Sequence, residues 1–200
     1  MPEGSSRRTA VTIDIRIASD GWREALPGGA MMLRRAARAA LKEEIAPRRE
    51  TGLSILLTDD AEMRILNVCW RAKDKPTNVL SFPAEAAVDP RNPPDYLGDI
   101  ALGLATCRRE AKEQGKSLAD HVMHLTVHGV LHLIGYDHMT DEEANAMEPR
   151  EVEILAGLGI DNPYIAPPRR TAAKHAKRKG SATTVRSKRA ATAVRRKRAA

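Results

Sequence analysis

The chain has 200 residues and a formal charge of +7; the length suits one domain or two, and no uncharged apolar run reaches the roughly 18 residues of a membrane-spanning helix. The basicity is local: residues 169–200 hold 13 Lys and Arg and no acid, leaving 20 bases and 26 acids in residues 1–168, so a mildly acidic body able to bury its own core carries a basic tail. Charges at Arg7, Arg8, Asp14 and Arg16 exclude an apolar secretory signal, Cys69 and Cys107, far apart and without a CxxC pairing, fit packing thiols in a reducing cytoplasm better than a disulfide framework, and two Trp, three Tyr and one Phe are too few for the stacked-base platforms of sheet-type RNA binders.

The pattern in chain order predicts four strands and about five helices. Residues 1–8 are expected to be a flexible N-terminus, after which Thr9–Ile17 alternates around Val11, Ile13, Ile15 and Ile17 as a strand. Past Gly28 and Gly29, a helical stripe of Met31, Met32, Leu33, Ala36, Ala40, Leu41 and Ile45 runs until Pro47 closes it. Ser54–Leu57 reads as a second strand. Asp59 or Asp60 then caps a helix carrying Ile65, Leu66, Val68 and Cys69 and ending near Arg71. A turn at Lys73–Pro76 leads to a β-branched strand over Thr77–Phe82, and the proline-rich stretch from Pro83 to Tyr96 reads as a surface loop.

Leu97–Leu102 supplies the fourth strand, Ala105–Gln114 a helix ended by Gly115, and Ser117 opens a long apolar helix to about Ile134. Thr140 with Glu143 matches a capping box, so another helix follows through Met147, Ile154, Leu155 and Leu158. The expected fold is α/β of the α+β kind: one domain over residues 9–168, with a mixed, roughly four-stranded sheet packed by helices around a long central one. Residues 169–200, with the near-repeat of Val185–Ala191 and Val194–Ala200, have no apolar face to bury and are expected to be disordered.

The chemistry concentrates in His128-Gly-Val-Leu-His132-Leu-Ile-Gly135-Tyr-Asp-His138. Two histidines four apart share one helix face, about 6 Å apart along the axis, and can reach one ion. His124 shares that face but stands eight residues from His132, roughly 12 Å along the axis, too far for both to bind one ion on a straight helix. Gly135 can adopt a left-handed cap, turn the chain back and present His138 instead. The spacing is that of the metzincin pattern H-E-x-x-H-x-x-G-x-x-H, with Gly129 where those peptidases place their general-base Glu. Buried core histidines would explain any one of the three, and a structural zinc would usually add cysteines; three histidines with a fourth position open point to chemistry on a single zinc ion. His121 and His124 read as residues of the same face or supports of the ligands, and His175 as solvated.

With these residues, Leu66-Asn67, Trp70-Arg71, the run Lys75–Pro83, Leu97–Ile100, Met147-Glu148 and Glu151 make most of residues 50–158 resemble the YbeY family. That resemblance implies a metal-dependent endoribonuclease of small-subunit ribosomal RNA maturation and ribosome quality control, with His128, His132 and His138 holding zinc and Arg71 as the functional arginine. Asn78 stands where many members have Asp, and the basic tail lies outside the resemblance.

Read as chemistry, Arg71 can clamp a phosphate bidentately, or else offset the negative end of its helix dipole. Lys73 and Lys75 form a small basic patch or a solvated turn. Asp99 and Asp137 are the carboxylates nearest the motif; either could take a proton or, the preferred role, orient a ligand histidine. RNA brings its own 2′-hydroxyl, which suits the absence of a base at Gly129. The tail, Arg195, Arg196, Lys197 and Arg198 included, is expected to hold phosphate backbones without sequence preference. The expected partners are ribosomal RNA and the small ribosomal subunit, with no membrane. A ribosome-associated assembly factor without catalysis and a zinc metallopeptidase stand as alternatives, the second disfavoured by Gly129.

Overall fold

A computed structural model describes residues 11–45, 51–84, 88–89 and 91–165. The expected flexible N-terminus, the start of the first strand at Thr9, and the tail with Arg195, Arg196, Lys197 and Arg198 lie outside those residues. In chain order the elements are β1 (Val11–Ile17), α1 (Gly21–Ala25), α2 (Gly29–Glu44), β2 (Thr51–Thr58), α3 (Asp60–Arg71), β3 (Val79–Pro83), β4 (Tyr96–Gly103), α4 (Leu104–Glu113), α5 (Leu118–Leu133) and α6 (Asp141–Gly157). The sheet has the order β1-β2-β4-β3, parallel except for the antiparallel pair of β3 and β4. This is the mixed four-stranded α+β architecture expected from the pattern, with one helix more. That helix, α1, is five residues long and too short to show a period; its Trp22 is 1% exposed and donates from Nε1 to the Thr58 carbonyl at 2.7 Å.

Strand alternation divides the apolar side chains between two layers. Leu53, Ile55, Leu57, Ile100 and Leu102 belong to the main core, together with Leu33, Ala36, Ala37, Ala40 and Leu41 of α2 and Val122, Leu125, Val130, Leu131 and Leu133 of α5. Leu80 and Ala101 join Met63 of α3 in a smaller core flanked by Leu56, Leu66 and Phe82. Cys107 is buried, as a packing thiol should be, and burial pushes its pKa up; Cys69 is exposed and does not fit that reading. No helix among the described residues is long and apolar enough to cross a membrane.

Element ends follow their side chains. Asp59 caps α3 by accepting from the Glu62 amide at 2.9 Å, which frees Asp60 to bind the Thr106 amide and hydroxyl at the start of α4. Thr140 and Glu143 form the expected capping box of α6, and that helix continues through Pro149. β2 begins at Thr51, earlier than the apolar run suggested, because it pairs from Thr51 onward with β1; its pairing with β4 is irregular between Gly52 and Leu53.

Gly98 sits at that irregularity with φ +133°, and a Cβ there would stand 2.2 Å from the Phe82 carbonyl oxygen. Both the conformation and the contact exclude a side chain. Gly98→Ala should therefore cost about 3 kcal/mol of stability, measurable as a lower urea midpoint with an unchanged slope.

Candidate metal centre

α5 is buried on the side that crosses the sheet, and it carries its histidines on the other. His128 and His132 are half-buried one turn apart, with their Nε2 atoms 3.1 Å from each other. The chain then reverses as the spacing predicts. Gly135 has φ +100°, its amide donates to the His132 carbonyl at 3.1 Å, and the Tyr136 amide donates to the Leu131 carbonyl at 3.0 Å, the paired bonds of a Schellman cap. Two contacts then fix the returning segment: the Tyr136 hydroxyl donates to Glu44 of α2 at 2.8 Å, and the Asp137 carboxylate accepts from the His138 amide at 2.8 Å. Arg150 of α6 pairs with the same Glu44. One ligand atom each from His128, His132 and His138 then lies within 4.8 Å of the others.

The donor set suits a divalent ion such as zinc. Burial, followed by the facing charges of His128 and His138, lowers the pKa of His132 and favours the neutral imidazole that can ligate. Glu151 of α6, fully buried, accepts at Oε1 from His128 Nδ1 at 2.6 Å. Its other oxygen accepts from His124 Nε2 at 3.0 Å and from the Tyr164 hydroxyl. Burial alone would push the Glu151 carboxyl up, yet the hydrogen bonds of His124 and His128, the His128 charge and the Tyr164 hydroxyl outweigh it and hold the pKa at about 2. An ionised carboxylate only accepts, so Nδ1 of His128 donates to Glu151, and Nε2, which faces His132, is the nitrogen left to bind an ion.

The orienting contact expected from Asp99 or Asp137 is made by Glu151. Asp99 follows the alternation of β4 onto the face opposite Ile100, where it accepts from the Tyr96 hydroxyl at 2.8 Å and lines a different groove. Asp137 lies beside the centre, where its charge acts on His132, but its hydrogen bond goes to a backbone amide rather than to an imidazole ring. The sequence does contain a signal for Glu151: it stands four residues from both Met147 and Leu155, an acid on an otherwise buried stripe of α6. Tyr164 had no such pattern.

A cleft of about 540 Å³ opens over the histidines, and Arg71 lines it together with Asn78, Ser81, Asp137, Met139, His128, His132 and His138. Arg71 is exposed and ends α3, just before Ala72, which adopts the left-handed conformation at φ +53°. That conformation costs an L-residue roughly 1–2 kcal/mol and turns the chain sharply after the arginine. Lys73 and Lys75 are exposed in the next turn and do not line the cleft. Asn78 is committed to structure: its Nδ2 donates to Glu110 at 2.8 Å and its Oδ1 accepts from the Val79 amide at 2.7 Å. Glu110 also pairs with His121 at 3.1 Å, so His121 and His124 both bind acids and neither belongs to the ligand cluster.

Gly129 has a packing reason. A Cβ there would meet Ile100 at 3.0 Å and Ser81 Oγ at 3.1 Å, so α5 lies too close to the sheet to seat a glutamate without displacement.

The family model described as Endoribonuclease YbeY matches residues 29–159. A protein named Endoribonuclease YbeY from Chelativorans sp. is 50% identical over 166 residues, covering 82% of this chain and 99% of its own length. Its namesake from Paramagnetospirillum magneticum is 51% identical over 162 residues, covering 77% of this chain and 98% of the relative. A solution structure from Thermotoga maritima aligns at 22% identity over 74% of this chain and 92% of that one, with a TM-score of 0.49.

Glu151→Gln should weaken zinc binding about 10- to 100-fold, because the amide cannot accept on both oxygens and loses hold of His128. His124→Ala should leave zinc stoichiometry intact, whereas alanine at His128, His132 or His138 should abolish it. Competition with a chelating dye measures all five.

Proposed function

The chain belongs to the YbeY endoribonuclease family, and from that premise we propose that it is a zinc-dependent endoribonuclease that cuts single-stranded RNA. We assign it to the cytoplasm, to 3′-end maturation of small-subunit ribosomal RNA and to ribosome quality control. The observation that carries the reading is the convergence of three imidazole ligand atoms and Arg71 on one cleft.

His128, His132 and His138 would hold one zinc ion. Three imidazoles suit zinc better than magnesium, which prefers oxygen ligands. The ion would supply Lewis acidity at a phosphoryl oxygen and acidify water. Arg71 binds the non-bridging oxygens of the phosphodiester bidentately, a geometry that fixes orientation as well as charge. Glu151 keeps the His128 ring and its proton in place throughout. The 2′-hydroxyl of the substrate lies beside each phosphodiester and can act as an internal nucleophile, so the lack of a carboxylate at Gly129 is no obstacle. The partners of this reaction are ribosomal RNA and the small ribosomal subunit. The 13 cations of residues 169–200 add affinity for phosphate backbones by releasing counterions, without reading sequence.

The test is cleavage of ribosomal RNA by purified protein, with its metal measured in parallel. Wild type should contain close to one zinc per chain and cut; His132→Ala should lose both. Arg71→Glu should keep its zinc and its melting temperature while cleavage falls about 100-fold or more, the usual loss when a transition-state donor is removed. Ribosome binding by a wild type that never cuts RNA would make it a non-catalytic assembly factor, and cleavage of peptides with RNA left intact would make it a metallopeptidase.

A further inference from the structure

We propose that the groove adjoining the metal cleft is a base-binding subsite, in which Trp70 stacks on an unpaired base of the RNA strand while Arg71 holds the neighbouring phosphate. The proposal rests on the endoribonuclease reading and extends it to how the strand is gripped.

The groove has a volume of about 720 Å³, within the range of small-molecule sites and ample for a nucleobase. Its floor is the smaller core, with Leu56, Leu66, Leu80 and Ala101, and its wall is Trp70 with Phe82. The two rings lie 5.3 Å apart between centroids at 56°, so Phe82 braces the indole without sandwiching it, and Trp70 remains 69% exposed. Ile65 and Val68 are also exposed on α3, but they do not line the groove. A braced, uncovered indole is what stacking on a base requires.

Continuity with the metal cleft identifies the occupant. Arg71, Leu80, Ser81 and Pro83 line both cavities, so a strand with its scissile phosphate among the histidines passes Arg71 before its next base meets Trp70. Charge favours a base over a second phosphate. Asp99 borders the groove, and its carboxylate repels phosphate but can accept from an exocyclic amino group. Composition argued only against the multi-ring platforms of sheet-type RNA binders; two of the chain's six rings, placed beside an arginine, make a smaller one.

The test uses full-length, zinc-loaded protein and short single-stranded RNAs carrying one abasic nucleotide at each position in turn. Binding is measured on ice by anisotropy, and cleavage by initial rates. One abasic position should weaken wild-type binding about tenfold, the scale of one base–aromatic stack. Trp70→Ala should weaken the intact RNA by the same factor, ignore that abasic position and melt like wild type, and Trp70→Tyr should restore most of the affinity. Trp22 is buried, so RNA should also quench the wild-type indole fluorescence through Trp70 and leave the emission of Trp70→Ala unchanged. If wild type binds and cuts RNA while Trp70→Ala binds equally well or still senses every abasic position, the subsite is wrong and the endoribonuclease reading stands. If wild type neither binds nor cuts, that reading falls and the subsite with it. Self-association lost in Trp70→Ala at unchanged RNA affinity would make the groove a contact between copies of the chain and overturn the proposal.

Discussion

A carboxylate removed from water costs several kcal/mol unless its oxygens are fully engaged, and Glu151 meets that cost with donors from two separate parts of the chain. His124 and His128 come from α5, Tyr164 from the segment after α6, and the acid itself from the middle of α6. The pairing locks α6 against α5, and it fixes the ring angle of one histidine of the candidate metal centre. A residue that looks like a packing liability is thus the point where the stability of the fold and the geometry of the centre become one requirement. Removing the acid would leave His128 free to rotate and His124 facing a void; removing the histidines would leave a buried, unpaired charge.

Two glycines do the rest. Gly129 lets α5 lie against Ile100 and Ser81, which sets the height of His128 and His132 above the sheet. Gly135 lets the chain reverse within two residues, and the Tyr136–Glu44 contact holds the returning segment to α2. The third histidine of the cluster is therefore carried on a loop anchored at both ends, a more rigid support than a free loop would give. On the opposite wall, Ala72 accepts a left-handed conformation at the residue after Arg71. Strain of this kind persists where surrounding structure over-determines it, and here it separates the arginine from the lysine turn.

Local signals in the sequence were sufficient for local geometry. The spacing of three histidines around a glycine was enough to bring the three rings together because helix pitch and a Schellman cap are properties of a few consecutive residues. The Thr140–Glu143 cap and the strand alternation of Val11–Ile17 were legible for the same reason. What escaped depends on pairing between distant elements. Whether Asp99 or Glu151 meets a histidine is decided by the face of β4 on which position 99 falls and by the packing of α6 across α5, and neither follows from proximity in sequence. The α1 helix was too short for a period to emerge, and the place of Trp70 beside Phe82 is set by how α3 packs on the edge strand β3.

The central claim is that the fold presents three imidazoles, and no cysteine, to a single ion while Glu151 stays outside the coordination sphere as the partner of His128. X-ray absorption at the zinc edge of the loaded, full-length protein tests this directly. The expected spectrum has three imidazole nitrogens at about 2.0–2.1 Å with one further light atom. Sulfur at about 2.3 Å, or a fourth imidazole, would contradict it.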